Sequence, residues 1–588
     1  MDLVPNNIKI GLPMQIRKLT ISNFRGIAEL SWQPSGVFCC MIGSGDSGKS
    51  TILDAIEAAL SSRWFAFTES DFLGCETSSS IIIEATVGEL SRSLKSDERF
   101  GLYIRGWTRL GDLRDEPEDD DEPVLTVRLT VDATMEPVWE LICERAEDSR
   151  TLSNRDRALF GLVRLAGEDS RHLTWGQGSI LARLTSDNTE AGSRLAEAYR
   201  AAKASANLGD IESLADAADR AEVFAKGLGA YVEGNYEPGL ELGRSGLSSG
   251  SIALHDNGVP LRLAGLGTRR LATLAIQKSA ISEGAIVLID EIEHGLEPHR
   301  IIGAIAQLKL DQNVAQAEHR PIGQILMTTH SDVALGEAKA ESLRVVQLNR
   351  PSRIANVLLP SAPATINALM RFTPRALFSR KILVTEGNTE IGMLLGIREH
   401  WPPRHGNKPI EQLAASIADG NGEQASQIAL SLAELGYSCA ICRDSDTTIS
   451  TTNLTELSAK GIPIFEYGGG LNTEQAIFSA SSDEHVQELL DYARKERGTD
   501  AIDNNLEINI PGITLEVIRG HFGTWSLFVD LDARQIRELI AEVASRKKWF
   551  KDQRIGRGLS PIVWRVIESA EGSPLSITIK QVEEWLYG

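Results

Sequence analysis

A glycine-rich loop near the N-terminus is the most specific chemical motif of the sequence. The string GSGDSGKST fits GxxxxGKS/T, follows the apolar stretch GVFCCMI and precedes the helical pattern TILDAIEAAL. Glycines let backbone N–H groups close around phosphate oxygens, and the positive end of the following helix points at them. We therefore expect Lys49 to reach the outer phosphates of ATP and Ser50 to hold Mg²⁺. The residues expected to contact the nucleotide are Gly43, Ser44, Gly45, Asp46, Ser47, Gly48, Lys49, Ser50 and Thr51.

Two later strand ends carry residues that would complete such a site. In GAIVLIDEIEHGLEPH an apolar run ends at Asp290, which is placed to bind Mg²⁺ through water, and Glu291 follows as the base for the attacking water. In QILMTTHSD another apolar run leads to His330, where a histidine can sense the γ-phosphate. A lone histidine after a strand is usually structural, but its position after a P-loop and an Asp-Glu strand favours a functional role.

A second group of acids follows apolar strands in the C-terminal half. Glu386 ends the strand of SRKILVTEG, Glu390 lies on the helix after it, and Asp444 and Asp446 end the strand of SCAICRDSD. Alternating strands and helices predict a parallel sheet, whose functional residues gather at the carboxyl ends of the strands. Such acids suit two Mg²⁺ ions about 3.5–4 Å apart, which can activate water and orient a phosphodiester. Glu474, at the start of a predicted helix in GGGLNTEQAIF, is a further candidate ligand.

The most basic window of the chain lies near its C-terminus. ASRKKWFKDQRIGRG, residues 544–558, sets basic residues around Trp549 and Phe550. Such a run is usually a solvated helix face, but beside a metal–carboxylate site it favours contacts with phosphates, where one lysine would neutralise charge that develops on the phosphate. The turn DGNG, residues 419–422, can serve as a backbone nest near the same substrate. The basic residues are Arg546, Lys547, Lys548, Lys551, Arg554 and Arg557.

Composition limits the classes to which the protein can belong. The chain of 588 residues is long enough for about two to four domains. Its net charge of −21 argues against a surface widely adapted to nucleic acid, although it allows a local basic groove. The sequence shows neither a long apolar run nor a secretory signal pattern, so we expect a cytoplasmic protein with no membrane partner. Six scattered cysteines suggest no disulfide framework and no zinc cluster of the primase kind.

The motifs of the first half resemble the ABC-type ATPases of the SMC-like branch, over about residues 14–360. ISNFRG is similar to the N-terminal strand motif of that branch, and EHGLEP is similar to its D-loop. LAGLGTRRLATLA, residues 263–275, lies where the signature motif is expected, and ESDF falls near the Q-loop but has no glutamine. The residues that match these motifs are Arg25 in the first strand, Asp71 near the Q-loop, and Gly265, Gly267 and Arg269 in the signature segment.

The resemblance also implies self-association, because ABC-type sites are completed by the signature motif of a second subunit. A homodimer or a tetramer is therefore expected. The stretch between Lys49 and Asp290 is longer than an uninterrupted core of this kind needs. Residues 188–234 are alanine-rich with apolar residues at helical spacing, which predicts packed helices that support dimerisation. A helical cap with no partner is the alternative.

The second half resembles the TOPRIM domain over residues 380 to about 480, because a glutamate-glycine follows the first strand and an Asp-x-Asp follows a later one. The whole chain resembles the OLD (overcoming lysogenisation defect) nucleases, in which an SMC-like ATPase is fused to a TOPRIM domain. This implies Mg²⁺- or Mn²⁺-dependent cleavage of nucleic acid, commonly DNA nicking, in ATP-controlled anti-phage defence. We expect contact with DNA through its phosphate backbone, and a separately encoded helicase or other defence protein is a candidate partner. It implies a catalytic lysine at Lys551, with Lys548 as the alternative. The implied metal ligands are Glu386, Glu390, Asp444, Asp446 and, as a further member, Glu474.

These expectations together give an α/β fold class. An N-terminal ABC-type ATPase with a helical dimerisation insert is followed by a C-terminal parallel-sheet TOPRIM domain with helical additions. Two other functions stay open, namely an SMC-like DNA-repair ATPase with a non-catalytic TOPRIM domain and a defence effector that cleaves RNA such as tRNA. The sequence does not decide whether ATP inhibits or licenses cutting. The expected domains are 1–175 and 241–375 for the ATPase, 176–240 for the dimerisation insert, 376–480 for the TOPRIM core, 481–543 for a helical insert and 544–588 for the basic segment that completes the TOPRIM domain.

Overall fold

The computed structural model forms two compact units, Met1–Val357 and Leu358–Gly588, each with its own hydrophobic core. Most of the predicted dimerisation insert lies outside the described residues. Among the residues that are described, no helix has both the length and the apolar character that crossing a membrane requires. The structure describes residues 14–63, 65–165, 181, 208–228, 230, 232, 234–240, 252–282, 285–318 and 323–588.

The first unit contains a large mixed β-sheet and a small antiparallel one. The large sheet has the order β10-β14-β15-β3-β16-β17-β2-β1-β4-β7-β5-β6, with β8 between β7 and β9, and the small sheet pairs β11, β12 and β13. The strands are β1 (Gln15–Phe24), β2 (Ile27–Trp32), β3 (Phe38–Ile42), β4 (Ile81–Gly88), β5 (Arg105–Trp107), β6 (Leu113–Arg114), β7 (Glu122–Val131), β8 (Pro137–Ile142), β9 (Arg150–Thr151), β10 (Val163–Leu165), β11 (Tyr236–Leu240), β12 (Ile252–Asp256), β13 (Val259–Pro260), β14 (Val287–Ile289), β15 (Ile325–Thr328), β16 (Leu343–Leu348) and β17 (Ile354–Leu358).

The parallel part of the large sheet gathers the strand ends that matter for chemistry. β10, β14, β15, β3 and β16 run parallel, so the residues that follow them meet at one edge. Helix α1 begins at Lys49 and buries Ile52, Leu53 and Ile56, whose spacing of one turn gives it a single apolar face. The described helices of this unit are α1 (Lys49–Leu60), α2 (Asp97–Phe100), α3 (Asn154–Arg157), α4 (Glu212–Gly227), α5 (Leu266–Ser282), α6 (Pro298–Ala317) and α7 (Asp332–Ala338).

The second unit, every residue of which is described, is built on a parallel sheet of four strands in the order β19-β18-β20-β21. These are β18 (Lys381–Thr385), β19 (Ala415–Asp419), β20 (Ser438–Arg443) and β21 (Ile464–Glu466). Thr385 lies opposite Asp419 on one side and Cys442 on the other, so three strands end at the same level. The helices are α8 (Pro363–Phe372), α9 (Asn388–Ile397), α10 (Ala425–Glu434), α11 (Thr451–Ala459), α12 (Thr473–Ala480), α13 (Asp483–Arg497), α14 (Thr499–Asn509), α15 (Leu515–Arg519), α16 (Ala533–Arg546), α17 (Gln553–Ser569) and α18 (Pro574–Tyr587).

Helices α9 and α17 touch through glycines. A Cβ added at Gly392 would overlap the carbonyl oxygen of Gln553, and one added at Gly556 would lie 2.7 Å from the carbonyl oxygen of Thr389. The two backbones therefore approach more closely than any larger residue allows. This contact brings residues 547–552, which precede α17, beside the start of α9. The C-terminal segment thereby reaches the edge where the strands of this sheet end.

Candidate functional site

The P-loop of the first unit connects β3 to α1 through two glycines that no other residue replaces easily. Gly43 has φ +155°, and a Cβ there would lie 2.7 Å from Ser47 Oγ and still closer to a backbone carbonyl. Gly48 has φ +94° and packs against Ile27, whose Cδ1 would lie 3.2 Å from an added Cβ. The loop therefore turns tightly enough to direct its backbone into a compact cradle.

Lys49 is held inside this loop. Its Nζ donates to the carbonyl oxygens of Gly43 at 3.1 Å and Ser44 at 3.2 Å, and lies 3.3 Å from Ser47 Oγ. Burial lowers the pKa of Lys49 to about 8, although Asp290 and other acids act in the opposite direction. A phosphate group would favour the charged form of this amine, so the site suits a polyphosphate ligand.

Asp290 follows β14 and has partners on both carboxylate oxygens. Oδ1 accepts from Ser50 Oγ at 3.1 Å and from Thr328 Oγ1 at 2.7 Å. Oδ2 accepts from Arg164 Nη2 at 3.0 Å. The structure thus brings together Ser50 and Asp290, the two residues predicted to hold Mg²⁺ in this unit. Their oxygen donors fit that ion.

A chain of alternating charges extends from Asp290 along α1. Arg164, whose side chain is only 8% exposed, also pairs with Glu57 at 3.2 Å and with Asp54. Arg25 pairs with the same Asp54, and its Nε donates to Asp71 Oδ1 at 2.9 Å. Asp71, predicted near the Q-loop, is therefore tied to Arg25. Sequence reasoning missed Arg164, because it follows no motif and only the pairing of β10 with β14 brings it to the site.

Glu291 and His330 lie beside this group at neighbouring strand ends. Glu291 has φ +46°, and its N–H donates to Thr328 Oγ1 at 2.8 Å. Its side chain is 52% exposed, as a base that meets a water molecule has to be. The N–H of His330 donates to Glu293 at 2.6 Å. Burial and the charge of Lys49 lower the pKa of His330, which shows that the two side chains interact.

The predicted signature segment begins α5 and packs on the predicted D-loop. A Cβ at Gly267 would lie 2.9 Å from both the carbonyl oxygen of Gly295 and Arg300 Nη1. The N–H of Arg269 donates to the carbonyl oxygen of Gly265 at 3.0 Å within the first turn. The structure thus places Gly265, Gly267 and Arg269 at one helix start. Their role at a second subunit's nucleotide stays a prediction.

The second unit has a cavity of about 290 Å³ at the ends of β18, β19 and β20, here called the acid cavity. It collects the predicted site residues of the C-terminal half and one acid that the sequence analysis did not assign, Asp419. Asp419 belongs to the cavity because β19 pairs with β18, which the sequence alone does not show. The lining residues are Phe372, Glu386, Gly387, Asn388, Thr389, Glu390, Asp419, Asn421, Gly422, Asp444, Asp446, Asn472, Glu474, Ser545, Lys548 and Lys551.

Two acids of this cavity share one hydroxyl donor. The Thr473 hydroxyl lies 2.8 Å from Glu390 Oε1 and 2.7 Å from Asp444 Oδ1, but it has a single proton to donate. Burial, followed by the charge of Glu390, raises the pKa of Asp444 to about 8. Burial also raises the pKa of Glu474 to about 7 and raises that of Glu390. The cavity therefore packs carboxyl groups so closely that burial and mutual repulsion disfavour their charged forms.

Glu386 is the acid of this group that has a cationic partner. Its Oε2 accepts from Arg443 Nε at 3.3 Å and from the N–H of Asp444 at 3.3 Å. Arg443 also lies 3.8 Å from Glu466, and its side chain is buried. This arginine, directly before the Asp-x-Asp, therefore orients Glu386 toward Asp444. Sequence reasoning took Arg443 only as the end of a strand.

The turn at residues 419–422 does not form the predicted backbone nest. The N–H of Gly420 donates to Thr385 O at 2.8 Å, that of Asn421 to Asp419 Oδ1 at 2.8 Å, and that of Gly422 to Glu386 O at 2.6 Å. These donors are occupied within the fold, so the nest interpretation is wrong. The turn instead fixes the end of β19 beside that of β18.

The basic segment divides into two kinds of residue. Lys548 and Lys551 line the acid cavity, and the charge of Lys551 acts to lower the pKa of Glu390 and Glu474. Trp549 and Phe550, which the basic residues surround in the sequence, are buried in the core. The remaining arginines have acidic or amide partners: Arg546 with Glu542 and Asn509, Arg554 with Glu496, and Arg557 with Glu399.

The donor set of the acid cavity fits Mg²⁺ or Mn²⁺, because its ligands are carboxylate oxygens and a bound cation would favour their charged forms. Across the described ranges, however, no three His, Cys, Asp or Glu side chains are grouped around one point as ligands of an ion. The structure thus brings Glu386, Glu390, Asp444, Asp446 and Glu474 to one cavity without a finished chelating arrangement. Binding an ion requires these side chains to move toward it.

Comparison with known proteins places one part of the chain in a family. Residues 38–336 match the family AAA_21, described as "AAA domain, putative AbiEii toxin, Type IV TA system". This segment contains the P-loop, Asp290 and His330, and it ends before the acids of the second unit. A comparison with curated proteins finds no match.

Solved structures with partial similarity include two SMC head domains and a recombination mediator. The Smc head domain of Pyrococcus furiosus bound to the C-terminal domain of ScpA is 14% identical, with a TM-score of 0.37, covering 61% of this chain and 99% of that one. The recombination mediator RecF with ATPrS is 13% identical, with a TM-score of 0.34, covering 60% and 100%. The SMC head domain of Thermotoga maritima is 16% identical, with a TM-score of 0.28, covering 59% and 98%.

Proposed function

We propose a function for this chain from the premise that it belongs to the AAA_21 family, whose match spans residues 38–336 of its 588 residues. The protein hydrolyses ATP in its first unit and cleaves nucleic acid with divalent metal ions in its second. The observation that carries the second part is the acid cavity, where acids from three strand ends and two helices face two lysines. ATP hydrolysis in the first unit controls the nuclease, and the second unit cleaves the nucleic acid.

In the first unit the P-loop binds the phosphates and Lys49 neutralises the outer ones. Ser50 and Asp290 would hold Mg²⁺, which supplies charge stabilisation at the phosphates when bound. Glu291 takes the proton of the attacking water, and His330 contacts the γ-phosphate. A second copy of the chain contributes its Gly267 and Arg269, so the working form is a homodimer or a tetramer.

In the second unit Glu386, Glu390, Asp444, Asp446 and Glu474 would hold one or two divalent ions. Bound Mg²⁺ or Mn²⁺ would lower the pKa of a water nucleophile and stabilise the leaving oxygen of a phosphodiester. Arg443 keeps Glu386 directed at Asp444. Lys551 neutralises charge that develops on the phosphate during cleavage, because it lies at the cavity beside Glu390 and Glu474.

This arrangement corresponds to a TOPRIM nuclease fused to an SMC-like ATPase, as in the OLD family. Residues 376–480 form the TOPRIM core and 544–588 complete it, while 1–175 and 241–375 form the ATPase around the insert at 176–240. The substrate is DNA, contacted through its phosphates, and ATP binding and hydrolysis control access to the metals. The description of the AAA_21 family names a toxin of a toxin–antitoxin system, which supports a role in defence, with a helicase or another defence protein as the partner.

Purified protein incubated with plasmid, linear DNA and tRNA, with Mg²⁺ or Mn²⁺ and with a chelator as the control, tests this function. Metal-dependent nicking or cutting of DNA is expected, and Asp444→Ala is expected to remove it. Cutting of tRNA alone would favour the RNA-directed effector. ATP hydrolysis without any metal-dependent cleavage would favour a DNA-repair ATPase with a non-catalytic second unit. Equal cleavage by Asp444→Ala and wild type would contradict the proposed site.

A further inference from the structure

A single apolar side chain, that of Phe372, lines the acid cavity. The other lining residues are acids, lysines, amides, hydroxyl residues and glycines. The ring of Phe372 is 54% exposed, whereas Leu369 and Met370 of the same helix are buried. Helix α8 therefore buries one face and presents its last residue to the cavity. An exposed aromatic ring in an otherwise polar cavity suits a ligand that has a flat apolar face.

The position of Phe372 is fixed by its neighbour. The N–H of Thr373 donates to the carbonyl oxygen of Leu369 at 2.8 Å and ends the helix. Thr373 Oγ1 accepts from the N–H of Asp419 at 3.2 Å, which joins this helix end to the end of β19. These two hydrogen bonds hold the backbone at Phe372 beside the acids. A ligand bound at the carboxylates would meet the ring without a rearrangement of the backbone.

We propose that Phe372 is a stacking platform for an unpaired nucleobase adjacent to the phosphate that is cut. The inference rests on the proposed nuclease function and specifies its substrate. The acids proposed to bind metal and Lys551 would contact a phosphate, and the largest flat apolar surface that a nucleic acid offers near a phosphate is the face of a base. Base–aromatic stacking tolerates any sequence, because every base has such a face.

A base can stack on Phe372 only when it is not stacked inside a nucleic-acid duplex. A base inside a duplex has both faces covered by its neighbours, so it has to be unstacked before the ring can reach it. The substrate class is therefore nucleic acid with single-stranded character at the cut, such as a single strand, a flap or a distorted junction. Intact duplex is cut more slowly, because opening it costs energy that a single strand does not require.

Three substitutions at position 372 separate aromatic stacking from mere bulk. Phe372→Leu keeps an apolar side chain without a ring, Phe372→Ala removes the side chain, and Phe372→Trp enlarges the ring. We expect Phe372→Ala and Phe372→Leu to lower kcat/KM on a single-stranded oligonucleotide by about 5- to 150-fold, the effect of losing one base–aromatic stack. Phe372→Trp is expected to retain cleavage. Phe528→Leu is the matched control, because Phe528 is 64% exposed in the same unit and does not line the cavity.

A fluorescence measurement checks the contact without cleavage. An oligonucleotide with 2-aminopurine beside the preferred cut is added to Asp444→Ala protein, and to the same protein that also carries Phe372→Leu or Phe372→Trp. The fluorescence is expected to change from that of the free oligonucleotide with Phe372 and with Trp, because the base leaves its neighbours, and this change is expected to be lost with Leu. Thermal melting of each variant shows whether the second unit remains folded, as we expect for a residue on the surface.

The outcomes distinguish this inference from the function on which it rests. Equal cleavage by wild type and Asp444→Ala overturns the nuclease function. Cleavage that depends on Asp444 but is the same with Phe372, Leu and Ala overturns the stacking platform alone. Faster cutting of intact duplex than of the matching single strand also overturns it. Loss of cleavage with Leu, retention with Trp and an unchanged Phe528→Leu variant support it.

Discussion

The nucleotide pocket of the first unit and the acid cavity of the second both gather carboxylates at the ends of parallel strands, but they balance charge differently. In the first, Asp290 has Ser50 and Thr328 on one oxygen and Arg164 on the other. In the second, Asp444 and Glu390 share the one proton of Thr473. Asp290 is thus paired with an arginine at hydrogen-bond distance, whereas burial raises the pKa of Asp444 and of Glu390.

This difference shows what each site is built to receive. The pocket around Lys49 has cations and donors ready, so it accepts a ligand that brings negative charge. The acid cavity raises the pKa of Asp444 to about 8 because its carboxylates are buried together, so it accepts a ligand that brings positive charge. The comparison therefore predicts separate losses: changes in the first unit should affect nucleotide chemistry, and changes in the second should affect metal binding and cleavage.

The largest effect expected from a single side chain is that of Glu291→Gln on ATP hydrolysis. Removing the base should lower the rate by about 100- to 10,000-fold while nucleotide binding remains, because Gln keeps the size of the side chain. Phosphate release and the affinity for a fluorescent ATP analogue measure the two effects. Nucleic-acid cleavage in the same samples, with and without ATP, shows whether bound ATP inhibits or licenses the cut. Hydrolysis close to the wild-type rate would remove Glu291 from the mechanism.

Arg164→Gln should raise the Mg²⁺ concentration needed for half-maximal ATP hydrolysis by about 10- to 100-fold. Loss of a hydrogen-bond partner that orients a metal ligand has effects of this size. A neutral glutamine also leaves Asp54, Glu57 and Asp290 without their shared cation. A Mg²⁺ titration of hydrolysis measures the shift, and Arg164→Lys should recover part of it.

Arg344→Gln is the matched control for that variant. Arg344 is also buried on a strand of the first unit, but its partners are the oxygens of Ser35 and the carbonyl oxygens of Glu341 and Leu343. Its loss should lower stability and leave the Mg²⁺ requirement unchanged. Equal shifts in the two variants would mean that Arg164 acts only through stability.

A smaller effect is expected from Gly392→Ala in the second unit. The added Cβ overlaps the carbonyl oxygen of Gln553, so α9 and α17 have to separate, at a cost of about 1–3 kcal/mol. The melting temperature of this unit should fall by a few degrees, and cleavage should fall because Lys551 lies just before α17. Gly303→Ala on α6 is the control, since its Cβ would meet nothing within 4 Å and should be neutral or stabilising. A variant as stable and active as wild type would show that this helix contact does not position Lys551.

The sequence was informative where chemistry depends on neighbours along the chain. The strand β3, the loop that ends at Gly48 and the helix α1 form a local unit, so the pattern GSGDSGKST predicts their arrangement. The same holds for the strands that end near Asp290, Glu386 and Asp444. At these strands a continuous apolar run followed by an acid identifies the strand end without tertiary information.

The sequence was less informative where the site depends on contacts between distant residues. Arg164 reaches Asp290 only because β10 pairs with β14, and Asp419 joins the acids only because β19 pairs with β18. Trp549 and Phe550 follow a run of basic residues that suggests a surface, yet both are buried, and Phe550 packs against Phe478 of α12 and Tyr492 of α13. Phe372 has no motif at all, and its exposure beside the acids is visible only in the folded chain.

The most direct test of the central claim is calorimetric titration of Mn²⁺ into nucleotide-free protein. The clustered carboxyl groups of the acid cavity predict measurable binding by the wild type and its loss or marked weakening in Asp444→Asn. Ser50→Ala, which changes the nucleotide pocket instead, should bind Mn²⁺ as the wild type does. Undiminished binding by Asp444→Asn, or no binding by the wild type, would contradict the account.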